Sequence, residues 1–157
     1  MTPDSQDRAV PIADSREGAD PREGSSTPDA GGDAFQAHES RMRKLILVGP
    51  RGQVVCDTCH VADRPHTRMR GVIGWQQLRH GEGVLLRPSS SVHTAFVRFP
   101  IDAVFLDREM TVVSIASELR PWRLAWARGA NAVLELAAGE CRRLDVRPGD
   151  RLGWGFS

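Results

Sequence analysis

The chain has 157 residues, 21 of them basic and 20 acidic, for a formal net charge of +1, and 40% of it is hydrophobic. That length allows one domain with a small core. No apolar run comes near the roughly eighteen residues of a membrane span or the shorter core of an export signal, so no membrane span is expected and the expected location is the cytoplasm.

The charge is unevenly placed. Residues 1–40 carry nine acids against three arginines, a balance of −6, which leaves +7 on the remainder. Residues 1–42 are rich in Asp, Glu, Gly, Ser and Pro, with Phe35 their only aromatic residue. Such a composition buries too little apolar area to offset chain entropy, so this stretch is expected to be a disordered acidic tail. Met42, just ahead of the first periodic segment, is an alternative start of translation.

Leu45 to Val48 predicts a first strand, Gly49 to Gly52 a turn, and Gln53 to Val61 a second extended segment. A helix is expected next, capped by Asp63, with Pro65 in its first turn, running through Trp75 to Arg79. Met69, Val72, Ile73 and Gln76 would share one face of it, and Gly71 and Gly74 would let it lie close against a sheet. Val84 to Leu86 reads as a strand. Ser89 to Ser91 then lead into the densest apolar run, His93 to Asp107, read as a hairpin that turns at Pro100 and returns through Ala103 to Leu106. Asp107 to Met110 is a turn into a strand from Thr111 to Ser117.

Trp122, Leu124 and Trp126 alternate with Arg123, Ala125 and Ala127, the pattern of a half-buried strand. Ala132 to Leu136 is another strand, Ala137 to Leu144 a short helix, and Arg147 to Asp150 a turn in which Gly149 can take positive φ. A last strand follows near Leu152 to Trp154. About eight strands and two short helices, with no strand-helix alternation, predict a mainly β domain over residues 43–156. Its expected form is a small antiparallel β-sandwich or open barrel with one or two short covering helices.

The apolar hairpin carries three ionisable residues that such a run normally excludes: His93, Arg98 and Asp102. If Pro100 marks the corner, the three meet there. Asp102 lies in phase with Val104 and Leu106, so it is expected to be buried and paired, with Arg98 the nearest cation. Glu135 faces opposite to Leu134 and Leu136, either solvated or orienting the His93 ring.

The order Ala62-Asp63, Arg68 to Gly74, Gly83 to Leu86, His93 to Asp107, Val133 to Gly139 and Pro148 to Asp150 resembles the domain of unknown function 192 (DUF192) family over residues 44–153. The resemblance implies a compact, mainly β-sandwich domain of bacteria and archaea, without an established activity, cofactor or substrate, with some members exported. By position, the residues matching the family's polar motif are His93, Arg98, Asp102 and Glu135. The chain departs from the pattern at Gly71-Val72-Ile73, where the family usually has Gly-Leu-Met, and at Val97, where it usually has Met.

Cys56-Asp57-Thr58-Cys59-His60 has the spacing of a c-type haem attachment site, or part of a zinc site. No export signal is visible, however, and residues three apart in a strand point to opposite faces unless Asp57-Thr58 forms a turn between them, so two buried thiols are the expected reading and Cys56, Cys59 and His60 remain a weak metal alternative. Basic clusters at Arg41 to Lys44 and Arg142-Arg143 suit nucleic acid only if Trp122 and Trp126 are exposed to stack on bases; nucleic-acid binding is not expected.

No Gly-rich phosphate loop, Gly-x-Ser-x-Gly elbow or His-Glu-x-x-His motif occurs, which counts against an enzyme. The expected function is a non-enzymatic binding or accessory module, with no cofactor and a small or anionic ligand held by His93, Arg98, Asp102 and Glu135. The alternatives are a small hydrolase or metal-assisted enzyme using His93, and an interaction module of a membrane-associated or secretion apparatus with a protein partner.

Overall fold

The computed structural model describes residues 10–14 and 43–155. Their strands are β1 (Ile12–Asp14), β2 (Arg43–Val48), β3 (Val54–Ala62), β4 (Glu82–Leu86), β5 (Ser91–His93), β6 (Ile101–Leu106), β7 (Val112–Leu119), β8 (Arg123–Trp126), β9 (Ala132–Ala137) and β10 (Gly153–Gly155). Two short helices, α1 (Pro65–Arg70) and α2 (Glu140–Arg143), complete the list. A seven-stranded sheet runs in the order β10-β2-β3-β4-β9-β6-β7, and a three-stranded sheet in the order β1-β8-β5. Only the β3–β4 pair is parallel among the described strands. The domain is thus mainly β, with two open sheets, as the strand pattern predicts.

β9 lies inside the large sheet between β4 and β6, and both of its faces are covered. On one face Val84, Ala103 and Val133 pack with Val92 and Ala125 of the small sheet. On the other, Leu85, Val104, Leu134 and Leu136 pack with Cys141 and Val146, around α2. An interior strand with two buried faces reads as a continuous apolar run, which Ala132 to Leu136 is except at Glu135.

The structure departs from the expected elements in four places. The helix expected to reach Arg79 ends at Arg70. Gly71 takes φ +45°, and the chain then turns through Ile73 N–H to Arg70 O and Trp75 N–H to Val72 O. Arg64, not Asp63, is the N-cap: Thr67 Oγ1 accepts from Arg64 N–H at 3.1 Å and donates to Arg64 O at 2.8 Å.

The expected hairpin does not form, because β5 pairs with β8 and β6 with β7 and β9, in different sheets. Between them Thr94 is fully buried and its Oγ1 donates to Arg120 O at 2.6 Å and accepts from Arg123 N–H at 2.8 Å, which fastens the chain to the approach to β8. In β8 the alternation is real but Ala125 and Ala127 face inward, leaving Leu124 and Trp126, 40% exposed, on the outside. Finally, Ile12–Asp14 of the acidic segment is a strand paired with β8, not part of a disordered tail. Val10 to Ala13 is the one apolar stretch there, and Val10 packs on the core. The rest of residues 1–42 lies outside the described residues. No described helix is long and apolar enough to cross a membrane.

Candidate functional site

Three carboxylates sit inside the fold, and their surroundings differ. Asp102, 1% exposed, accepts N–H bonds from Glu118 at 2.8 Å, Gly139 at 3.1 Å and Cys141 at 2.9 Å. Glu140 accepts from Arg143 Nε and Nη2 at 2.7 and 2.9 Å and from Gly81 N–H at 3.3 Å, and meets His80 Nδ1 at 2.6 Å. Glu135, 2% exposed, receives only the backbone N–H of Val72, and its Oε2 has no hydrogen-bond partner. Buried polar atoms are nearly always paired, so this orphan oxygen marks the site.

Register explains why Glu135 and Asp102 part company. Glu135 pairs with Val84 and Ala103, whereas Asp102 pairs with Leu136, one position along. Neighbouring positions of a strand face opposite sides, so Asp102 points toward α2 and Glu135 toward the small sheet. The face assigned to Glu135 by alternation is correct. It is not solvated, because α1 and the turn after it cover it. A Cβ built on Gly71 would lie 2.9 Å from Glu135 Oε2 and 3.2 Å from Oε1, so only glycine allows this approach and this positive φ. Burial pushes the Glu135 carboxyl up to about 8, against a smaller opposing effect of the Val72 N–H. At neutral pH it is mostly protonated.

Above Glu135 opens a pocket of about 190 Å³, walled by Val72, Ile73, Leu86 and Val92. Arg68, Arg70, Ser91 and His93 line it as well. β5 is an edge strand. Ala127 N–H to Ser90 O and Thr94 N–H to Arg123 O turn the main chain of Ser90, Val92 and Thr94 toward β8, so the N–H groups of Ser91 and His93 point to the free edge. A second, larger cavity, about 340 Å³, lies beside Val10, Ser114, Trp126 and Arg128; Ser114 Oγ is also buried without a partner, but fewer polar side chains line this cavity.

Of the four residues singled out in the sequence, the structure brings His93 and Glu135 to one pocket and leaves the other two elsewhere. Asp102 is consumed by backbone amides, and Arg98 is exposed outside the pocket lining, so the expected corner of His93, Arg98 and Asp102 does not exist. The cause is that β5 and β6 diverge into separate sheets. No hydrogen bond joins His93 to either carboxylate among the described residues. Sequence reasoning missed Arg68 and Arg70. The signal available was Gly71, rightly read as a point of close approach, in the run Arg68-Met69-Arg70-Gly71.

Cys56 and Cys59 share a face, because the backbone departs from strict alternation at Asp57-Thr58, the turn that the sequence left open. Cys56 pairs with Leu47 and Cys59 with Leu45, so one extra residue bulges out of β3, and the N–H groups of Asp57 and Thr58 both donate to Gly81 O. The Cys56 thiol is held far above its usual range by its hydrogen bond to Cys59 and by burial. His60 faces the other side, edge-on to Trp75 at 5.2 Å, so the three do not converge on one ion. No group of three or more His, Cys, Asp or Glu residues suited to a metal occurs among the described residues.

Comparison with known proteins agrees with the fold. Among curated proteins, a UPF0127 protein of Thermococcus gammatolerans is 30% identical over 115 residues, 70% of this chain and 74% of its own. The UPF0127 protein of Thermococcus sibiricus is 28% identical over the same shares of the two chains. A solved structure from Novosphingobium aromaticivorans, a protein of unknown function, matches with a TM-score of 0.62 at 24% identity over 72% of this chain and 85% of that one. One from Sinorhizobium meliloti, described as a proposed transcription regulator, matches with a TM-score of 0.63 at 26% identity over 71% and 92%. The family model described as "Uncharacterized ACR, COG1430" matches residues 47–154, and the chain belongs to this DUF192 family.

Proposed function

We propose that this protein binds a small molecule in the pocket above Glu135. The observation that carries the reading is the Glu135 carboxyl, buried, with one oxygen unpartnered, beside a cavity of about 190 Å³. Leaving a buried polar atom unsatisfied costs about 1–3 kcal/mol, and a bound ligand would recover it. The other two buried carboxylates are fully engaged by the protein itself, which singles this one out. A concave, mainly apolar site with a few convergent polar groups is the usual form of a small-molecule site.

Native mass spectrometry of the full chain purified from its own host tests the proposal. A retained small molecule is expected on the wild type and absent from Glu135→Leu, whose thermal midpoint should be equal or higher. No added mass, together with no shift of the wild-type midpoint by a host metabolite extract, would overturn it.

A further inference from the structure

The walls and mouth of the pocket restrict what it can hold. Its volume of about 190 Å³ lies below the roughly 300 Å³ at which drug-sized ligands begin, so the occupant is a molecule of only a few carbons. The arginines that line it are Arg68 and Arg70 from α1, His93 lines it from β5, and the neighbours of Glu135 on β4 and β6 are Val84 and Ala103. Apart from Glu135, then, the ionisable groups are cationic or basic. The free-edge N–H groups of Ser91 and His93 add donors, and Ser89 Oγ is occupied in donating to Ser91 O at 2.8 Å. At the floor, Glu135 Oε2 has no acceptor for the proton that the carboxyl carries at neutral pH.

We infer that the ligand is a short-chain oxo or hydroxy acid, seated with an uncharged oxygen on the Glu135 carboxyl, its carbon body against Val72, Ile73 and Leu86, and its carboxylate at Arg68 and Arg70. This assignment rests on the pocket being a ligand site. An amine would require Glu135 to ionise in an apolar wall and would meet two guanidinium groups. Arg68 Nη1 already donates to Asp63 O at 3.1 Å, so an alcohol without a carboxylate would leave the Arg70 guanidinium and the remaining Arg68 donors unmatched. The carboxylate end matches a guanidinium, which donates in a fork that fits carboxylate geometry.

Backbone amide NMR spectra of the full chain, titrated near neutral pH with levulinate, valerate and pentylamine, separate the possibilities. Levulinate should give saturable shifts at Gly71, Val72, Ser91 and His93. It should bind about tenfold more tightly than valerate, which lacks the inner oxygen and so one hydrogen bond to a buried group. Pentylamine should give none. Glu135→Leu should make the two acids equal, and Arg68→Ala should weaken both alike. Equal affinity of the two acids for the wild type would overturn the inner contact. Binding of pentylamine in place of levulinate would overturn the ligand class while leaving the pocket as a binding site. No saturable shift with any of the three would overturn both.

Discussion

Glu135 carries a mostly protonated carboxyl between two leucines, with Val84 and Ala103 as its cross-strand neighbours, an arrangement that stability alone does not favour. Asp102 and Glu140 are buried as deeply but are held by three backbone amides in one case and by Arg143, His80 and Gly81 in the other. The consequence for Glu135 is a stability that depends on pH in a defined direction. Its carboxyl ionises near 4.5 in the unfolded chain and at about 8 in the fold, so between those values the folded state holds a proton that the unfolded state has lost. Stability from this group is therefore complete below about pH 4.5 and is lost as the pH rises through about 8, a difference on the order of 5 kcal/mol. Glu135→Gln should flatten that dependence, and urea midpoints of the two proteins at about pH 5 and about pH 8 check it: the wild type should lose more stability than the variant on going to the higher pH.

At the level of elements, the decisive contacts are made by side chains that join pieces of backbone rather than by propensity. α1 is six residues long and stops where Gly71 adopts positive φ, yet that stop is what brings the Val72 N–H onto Glu135. A helix carried on to Arg79 would not make that turn. Asp102 plays a comparable part on the opposite face, since its two oxygens tie β6 to the Glu118 amide of β7 and to the amides of Gly139 and Cys141 at the start of α2. Asp102→Ala would leave three N–H groups without this acceptor, that of Cys141 buried and those of Glu118 and Gly139 part-buried. The expected loss is about 3–5 kcal/mol, read as a fall in the denaturant midpoint at unchanged slope. If His93 and Arg98 formed a pocket with Asp102, this substitution would act on binding at intact stability, which is the opposite result.

For the molecule as a whole, Glu140 links the loop before β4 to α2 and is the main acid-sensitive tie. The Arg143 guanidinium, with smaller help from His80 and the Gly81 N–H, holds its carboxyl down at about 2 in spite of burial. The stability that it provides is thus present above about pH 4.5 and lost as the pH falls through about 2. Glu140→Gln should cost roughly 1–3 kcal/mol at neutral pH, the range for hydrogen bonds to a charged group, because its partner Arg143 is half-exposed. The gap between variant and wild type should close on acidification, which thermal melts across an acid series would show.

What the sequence determined by itself was the period-two patterning, the punctuation by Pro and Gly, and the uneven placement of charge along the chain, because these follow from local sterics and composition. Strands near Leu45, Val84, Ala103, Val112 and Ala132 and the turn at Gly149 were legible for that reason, as was the side of β9 that Glu135 takes. Whether that side met water depended on residues 68–73 and 91–97 folding over it, which no local pattern encodes. The separation of β5 from β6, the bulge that aligns Cys56 with Cys59, and the inward turn of Ala125 rather than Trp126 were likewise settled by long-range pairing. Alternation specifies that a strand has two faces, and only tertiary packing decides what covers each of them.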